Sequence, residues 1–212
     1  MSVRTIVLAT RNPGKLKEIR AVLADLPVRI AGLEEFTRVP EPEEHGLTFA
    51  DNARDKALYY ARAAGQWCLA DDSGLVVDAL GGEPGVRSAR YAADECPPGT
   101  DRHAIDQANN RKLLRALAGV PDAQRTARFV CHLAMADSQH VLLEASDTIE
   151  GRIGHEPHGD NGFGYDPLFH IDTHGCTTAE LPSDEKNRIS HRGKALRKFA
   201  ASLAELTGRD RD

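Results

Sequence analysis

The 212-residue chain has little with which to staple itself covalently: four cysteines, Cys68, Cys96, Cys131 and Cys176, are scattered with no C-x-x-C pair. A disulfide framework and a zinc knuckle are both excluded on that spacing, and the thiols read as reduced. His155 with His158, and His170 with His174 and Cys176, have metal-like spacing, but no further ligand completes either set for zinc. No apolar run approaches the ~20 residues that span a bilayer. The first ten residues lack the basic stretch, apolar core and cleavage site of a signal peptide, so a cytoplasmic protein without membrane contact is expected. A basic surplus is also missing: 27 Lys and Arg stand against 32 Asp and Glu, for a net charge of −5. That argues against duplex binding and leaves room for a small anionic ligand in a local basic pocket.

What is present is ordinary for a globular protein, with 41% hydrophobic and 28% charged residues and no repeats or low-complexity segments. Residues 3–9 (VRTIVLA) read as a buried strand, followed by a turn at 10–14 and a helix from Lys15 carrying Leu16, Ile19, Leu23 and Leu26 at helical spacing. Residues 28–33 read as a second strand and 34–46 as an acidic, proline-containing loop. Residues 48–64 read as an Ala-rich helix with Thr48 as N-cap and Asp51 as its capping partner. Residues 67–71 and 75–80 read as two strands separated by Asp71-Asp72-Ser73-Gly74, with a Gly/Pro loop at 81–85. A helix is expected over 103–117, a hairpin from 125–136 and 140–149 about Asp137-Ser138, a Gly-rich loop over 153–166, helices over 182–189 and 194–206, and a charged tail at 209–212. Strands alternating with helices and then pairing as a hairpin imply an α/β fold with a mixed sheet and helices packed on it.

Five places carry chemistry. The turn Thr10-Arg11-Asn12-Pro13-Gly14-Lys15 joins a strand to a helix N-terminus, where backbone N–H groups and the helix dipole suit phosphate. It is not a Walker loop, because Leu16 follows Lys15 and Ala9 stands where an earlier glycine is required. Asp71 and Asp72 are adjacent carboxylates at a strand end; alternation points them in opposite directions, one to a cleft and one to structure. Glu43 and Glu44 could join them in holding Mg²⁺, which takes one or two carboxylates plus water and phosphate oxygens. Phe163 lies between glycines in GDNGFGYD, where its ring can be offered to a flat ligand. Lys186 and Ser190-His191-Arg192-Gly193 offer cations to phosphate and base. Each signal alone has a plainer reading: a connector, an Asx turn, a solvated acidic face, a tucked ring, a basic helix end.

In this order along the chain, the stretches LATRNPGKLKEI, GLTFADNARDKA, ADDSGLVVDALGGEPGVRSARYA, GFGYDPLF and TAELPSDEKNRISHRGKAL make the sequence resemble the inosine-triphosphate pyrophosphatase family. The resemblance runs from about residue 6 to 203. It implies a single domain over 1–212 with an elongated mixed sheet flanked by helices, and two lobes enclosing a nucleotide-binding cleft. It further implies a homodimer that uses Mg²⁺ to hydrolyse inosine, deoxyinosine and xanthosine triphosphates to the monophosphate and pyrophosphate.

The resemblance assigns Thr10, Arg11, Asn12, Pro13, Gly14 and Lys15 to the triphosphate, and Asp72 to general base and metal ligand. It places Ser73 at the substrate and either Glu43 or Glu44 at the metal. Phe163, Gly164, Tyr165 and Asp166 fall in the base-binding loop, Lys186 at a phosphate, and His191 with Arg192 at the base. Arg11 fills a variable slot and His45 one usually small and polar. The remaining readings are a pyrophosphatase for another modified nucleotide and a nucleotide-binding sensor without turnover.

Overall fold

Short apolar runs in the first seventy residues lay down a parallel three-stranded start. The computed structural model describes residues 4–36 and 40–209. Residue 3 of the first expected strand, residues 37–39 of the acidic loop and residues 210–212 of the charged tail lie outside them. Strand β1 (Arg4–Leu8) leads through the turn into α1 (Pro13–Leu23), then β2 (Val28–Gly32), α2 (Phe49–Ala64) and β3 (Trp67–Val77). Helix α3 (Arg102–Ala116) precedes β4 (Thr126–Ala136) and β5 (Val141–Ile153), and β6 (Phe169–Ile171), β7 (Cys176–Thr177), α4 (Ser183–Ile189) and α5 (His191–Arg209) complete the chain. The strands are hydrogen-bonded in the order β2-β1-β3-β4-β5-β6-β7. β1 runs parallel to β2 and β3, while β6 is antiparallel to β5 and β7, so the sheet is mixed, as expected.

Local chemistry accounts for the boundaries. Asn12 caps α1, its side-chain oxygen accepting from the N–H groups of Gly14 (2.9 Å) and Lys15 (3.3 Å), and Pro13 takes the first helical position. Thr48 caps α2 through the Asp51 N–H, and its hydroxyl donates to the Asp51 carboxylate at 2.6 Å. Asp137 turns the chain between β4 and β5 by accepting from the N–H groups of Gln139 and His140, both at 2.7 Å.

Four expectations change. The two strands expected about Asp71-Asp72-Ser73-Gly74 are one eleven-residue strand, β3. Both carboxylates find cations on neighbouring helices, so no Asx turn forms. Helix α5 begins at His191, three residues earlier than expected, because Ser190 Oγ accepts from Gly193 N–H and compensates the glycine. β5 continues to Ile153, and residues 78–80 form a 3-10 turn instead of strand. β6 and β7, of three and two residues, are too short to leave a periodic signal.

The chain forms two compact units, Met1–Asp72 with Cys131–Asp147 and Ser190–Asp212, and Ser73–Val130 with Thr148–Ile189. In the first, alternation along β1 and β3 builds two cores. Ile6, Leu8 and Leu69 pack with Ile19 and Leu23 of α1 and with Leu196, Phe199 and Leu203 of α5. Val7, Cys68 and Ala70 pack with Ala53, Ala57, Tyr60 and Ala61 of α2. The second unit has its own core, in which Leu75, Val77, Leu113, Phe129, Tyr165 and Phe169 meet.

Candidate active site

The same alternation decides what the two aspartates do. Asp71 continues the Leu69 side of β3 and faces α1 and α5; Asp72 continues the Cys68–Ala70 side and faces α2. Asp71 is buried, 2.6 Å from Lys15 Nζ and 2.7 Å from Arg192 Nε, and its backbone carbonyl also accepts from Lys15 Nζ at 3.1 Å. Arg192 pairs in addition with Glu18 of α1. Burial alone would raise the Asp71 pKa, but the two cations and their hydrogen bonds outweigh it and hold the carboxyl well below the usual range. Arg192 is raised in turn: burial opposes its charge, and Asp71 and Glu18 overcome that. Cys131 Sγ lies 3.5 Å from Asp71, and burial followed by the Asp71 charge pushes its thiol pKa up, which disfavours the thiolate.

Asp72 accepts from Asn52 Nδ2 at 3.2 Å and lies 3.3 Å from Lys56 Nζ. Lys56 also pairs with Glu44, so one ammonium sits against two carboxylates. Burial raises the Asp72 pKa; Lys56 and Lys15 pull it back only partly, and Glu44 adds to the rise. Lys56 is raised as well, because the two carboxylates outweigh its desolvation. Asn52 ties the arrangement together, its Oδ1 accepting from Gly46 N–H at 2.9 Å while its amide donates to Asp72. The acidic loop is thereby held to the middle of β3. Glu44 is 16% exposed there, whereas Glu43 is 85% exposed and faces His45 at 3.3 Å.

Asn52, Lys56 and Glu18 were not anticipated from the sequence. A signal existed for the first two: polar residues at i and i+4 on a helix whose other inward positions are alanine and tyrosine.

The turn at 10–15 differs from expectation in one respect. The N–H groups of Gly14 and Lys15 are taken by the Asn12 side chain, Leu16 N–H by the Asn12 carbonyl, and Pro13 has none. The helix start is therefore already capped, and an anion here meets the side chains of Thr10, Arg11, Asn12 and Lys15 instead of bare backbone donors. His191 and Arg192 occupy the first turn of α5, 6% and 2% exposed. With Arg192 Nε and Nη1 on Asp71 and Glu18, any contact to a base oxygen has to coexist with these pairs or replace one.

Ser73 and the aromatic loop belong to the second unit. Asp166 is buried and accepts from Phe163 N–H (2.7 Å), Lys186 Nζ (2.7 Å) and Thr178 Oγ1 (2.9 Å). Lys186 Nζ stands 5.1 Å from the Phe163 ring centroid, within cation–π range. Gly162, at φ +80°, permits this: a Cβ there would strike the Asp166 carboxylate and come within 3.0 Å of Lys186 Nζ. Phe163 is only half-buried, but Tyr165 lies in the core with its hydroxyl donating to the Ser88 carbonyl at 2.9 Å. Among the described residues no group of three or more His, Cys, Asp and Glu could hold a metal, and no helix is long and apolar enough to cross a membrane.

A mixed sheet flanked by helices, with a carboxylate–ammonium cluster where β3 passes α2, defines an α/β protein with a charged polar centre. Residues 6–202 match the model of the Ham1 family, and the chain belongs to that family. It is 48% identical to the dITP/XTP pyrophosphatase of Anaeromyxobacter sp. (strain Fw109-5), over 95% of this chain and 97% of that protein. It is 49% identical to the protein of the same name from Geobacter sulfurreducens, over 90% and 92%. Among solved structures it resembles a HAM1 protein from Coxiella burnetii, with a TM-score of 0.83 and 41% identity over 96% of this chain and all of that one.

Proposed function

We propose that this protein hydrolyses nucleoside triphosphates of non-standard purines, such as ITP, dITP and XTP, to the monophosphate and pyrophosphate. The observation that carries this reading is the Glu44–Lys56–Asp72 cluster, beside a Lys15 oriented by Asp71. The names borne by the similar Anaeromyxobacter and Geobacter proteins support it. The donor set suits magnesium, which asks for only one or two carboxylates and fills its other positions with water and phosphate oxygens. Glu44 and Asp72 already face a shared positive charge and would hold the ion; Glu43, turned to solvent, would not. When bound, Mg²⁺ neutralises charge on the triphosphate.

The residues of the chain supply the rest. Asp72, with its pKa raised by burial, orients a water molecule for in-line attack at the α-phosphorus and takes its proton. Lys15 offsets phosphate charge, with Thr10, Arg11 and Asn12 around it. Pyrophosphate leaves as one unit, so no covalent enzyme intermediate is required. Phe163 stacks on the base, with its loop fixed by Asp166 and Lys186. Hypoxanthine and xanthine present an oxygen at C6 where adenine presents an amino group, so a donor at that position discriminates. One such mismatch yields only about 5- to 150-fold. Several contacts, from Arg192, His191 and backbone N–H groups, therefore act together. A homodimer in the cytoplasm goes with this reading.

The test is product analysis of the purified protein with ITP and with ATP, in Mg²⁺ and in EDTA. Mg²⁺-dependent release of IMP and pyrophosphate with ATP nearly untouched is expected. Orthophosphate would move the attack to another phosphorus, and ITP recovered intact would leave a nucleotide-binding sensor.

A further inference from the structure

The aromatic loop is gripped from helix α3. Asp106 and Asn110 stand one turn apart on α3 and close on a single residue, Gly164. Asp106 Oδ2 accepts from Gly164 N–H at 3.1 Å, and Asn110 Nδ2 donates to the Gly164 carbonyl at 3.0 Å. Gly164 adopts φ +64°, a left-handed conformation that leaves its N–H and carbonyl for this grip and that a side chain would strain. Between α3 and the loop lies a pocket of about 660 Å³, bordered by Asp106, Asn110, Phe163 and Gly164. Beside this pocket the two hydrogen bonds tie Gly164 to α3. Asp106 is 8% exposed, and its Oδ1 lies 3.0 Å from Arg102 Nε.

We infer that Asp106 and Asn110 are positioning residues that fix the Phe163 ring for stacking on the substrate base by clamping the N–H and carbonyl of the adjoining Gly164. This rests on Phe163 being the base platform, as read above. The clamp needs an acceptor at 106 and a donor at 110. An amide at 106 retains an acceptor, whereas a carboxylate at 110 sets like partial charges against the Gly164 carbonyl.

The experiment measures kcat and KM for ITP in Asp106→Ala, Asp106→Asn, Asn110→Ala, Asn110→Asp and Phe163→Ala, and in Asn110→Ala combined with Phe163→Ala. Loss of one clamp bond is expected to raise KM about 5-fold with kcat nearly unchanged. Asp106→Asn is expected to restore most of the loss seen in Asp106→Ala, and Asn110→Asp to exceed Asn110→Ala. Once the ring is gone, Asn110→Ala should add nothing further. If Phe163→Ala raises KM but the clamp variants do not, or if they raise it equally with and without the ring, the clamp is refuted. If Phe163→Ala itself leaves KM unchanged, the platform reading falls instead.

Discussion

Replacing Asp71 with asparagine separates structural from chemical use of the paired aspartates. Its carboxylate is wholly buried and pairs with Lys15 at 2.6 Å and Arg192 at 2.7 Å. Removing one partner of a buried pair costs about 3–5 kcal/mol. Arg192 keeps Glu18, so the lower end applies. About 3 kcal/mol in a chain of this length lowers Tm by roughly 6–12 °C.

The pH dependence has a definite sign. The folded-state pKa of Asp71 is depressed, so its stabilisation is complete above the ordinary aspartate value of about 4. It is lost as pH falls from there toward the folded-state pKa. The wild type should therefore weaken below about pH 4 more steeply than Asp71→Asn. Asp72 has the opposite shift, so Asp72→Asn should leave stability at pH 7 within about 1 kcal/mol of wild type, with Lys56 still paired to Glu44. Urea denaturation of the three proteins from pH 3 to pH 8 reads both effects. A loss below about 1 kcal/mol in Asp71→Asn at pH 7, or an unchanged acid limb, would refute the assignment of Asp71 as the brace.

Asp72→Asn should lower kcat by about 10²- to 10⁴-fold at saturating Mg²⁺; full turnover in steady-state assays would remove it as the base. Glu44→Gln should raise the Mg²⁺ concentration for half-maximal activity at least about 10-fold, while Glu43→Gln leaves it unchanged; equal effects in a metal titration would contradict the choice of Glu44. Arg192→Ala leaves Asp71 and Glu18 without their shared cation, so it should cost about 3 kcal/mol by denaturation. It should also narrow the ITP-to-ATP ratio of kcat/KM, and an unchanged ratio would show that Arg192 braces the fold without reading the base.

Local pattern was enough to find much of this molecule. Apolar spacing marked α1, α3 and α5, alanine content marked α2, Thr48 and its Asp51 partner marked the start of α2, and Asp137 marked the hairpin, because each signal is confined to a few neighbouring residues. The period-2 rule even set Asp71 and Asp72 on opposite faces. It could not say which face held which partner. Only the tertiary structure brought Lys15 and Arg192 to Asp71, across 56 and 121 residues of chain, and Asn52 and Lys56 to Asp72. These distant pairings also turned an expected break in the sequence into one unbroken strand. A doublet of aspartates favours a turn by itself, and stays extended when cations on two helices meet both charges. The preference for Glu44 over Glu43 likewise rests on the pairing of Glu44 with Lys56 of α2 while Glu43 faces solvent, which no local pattern encodes.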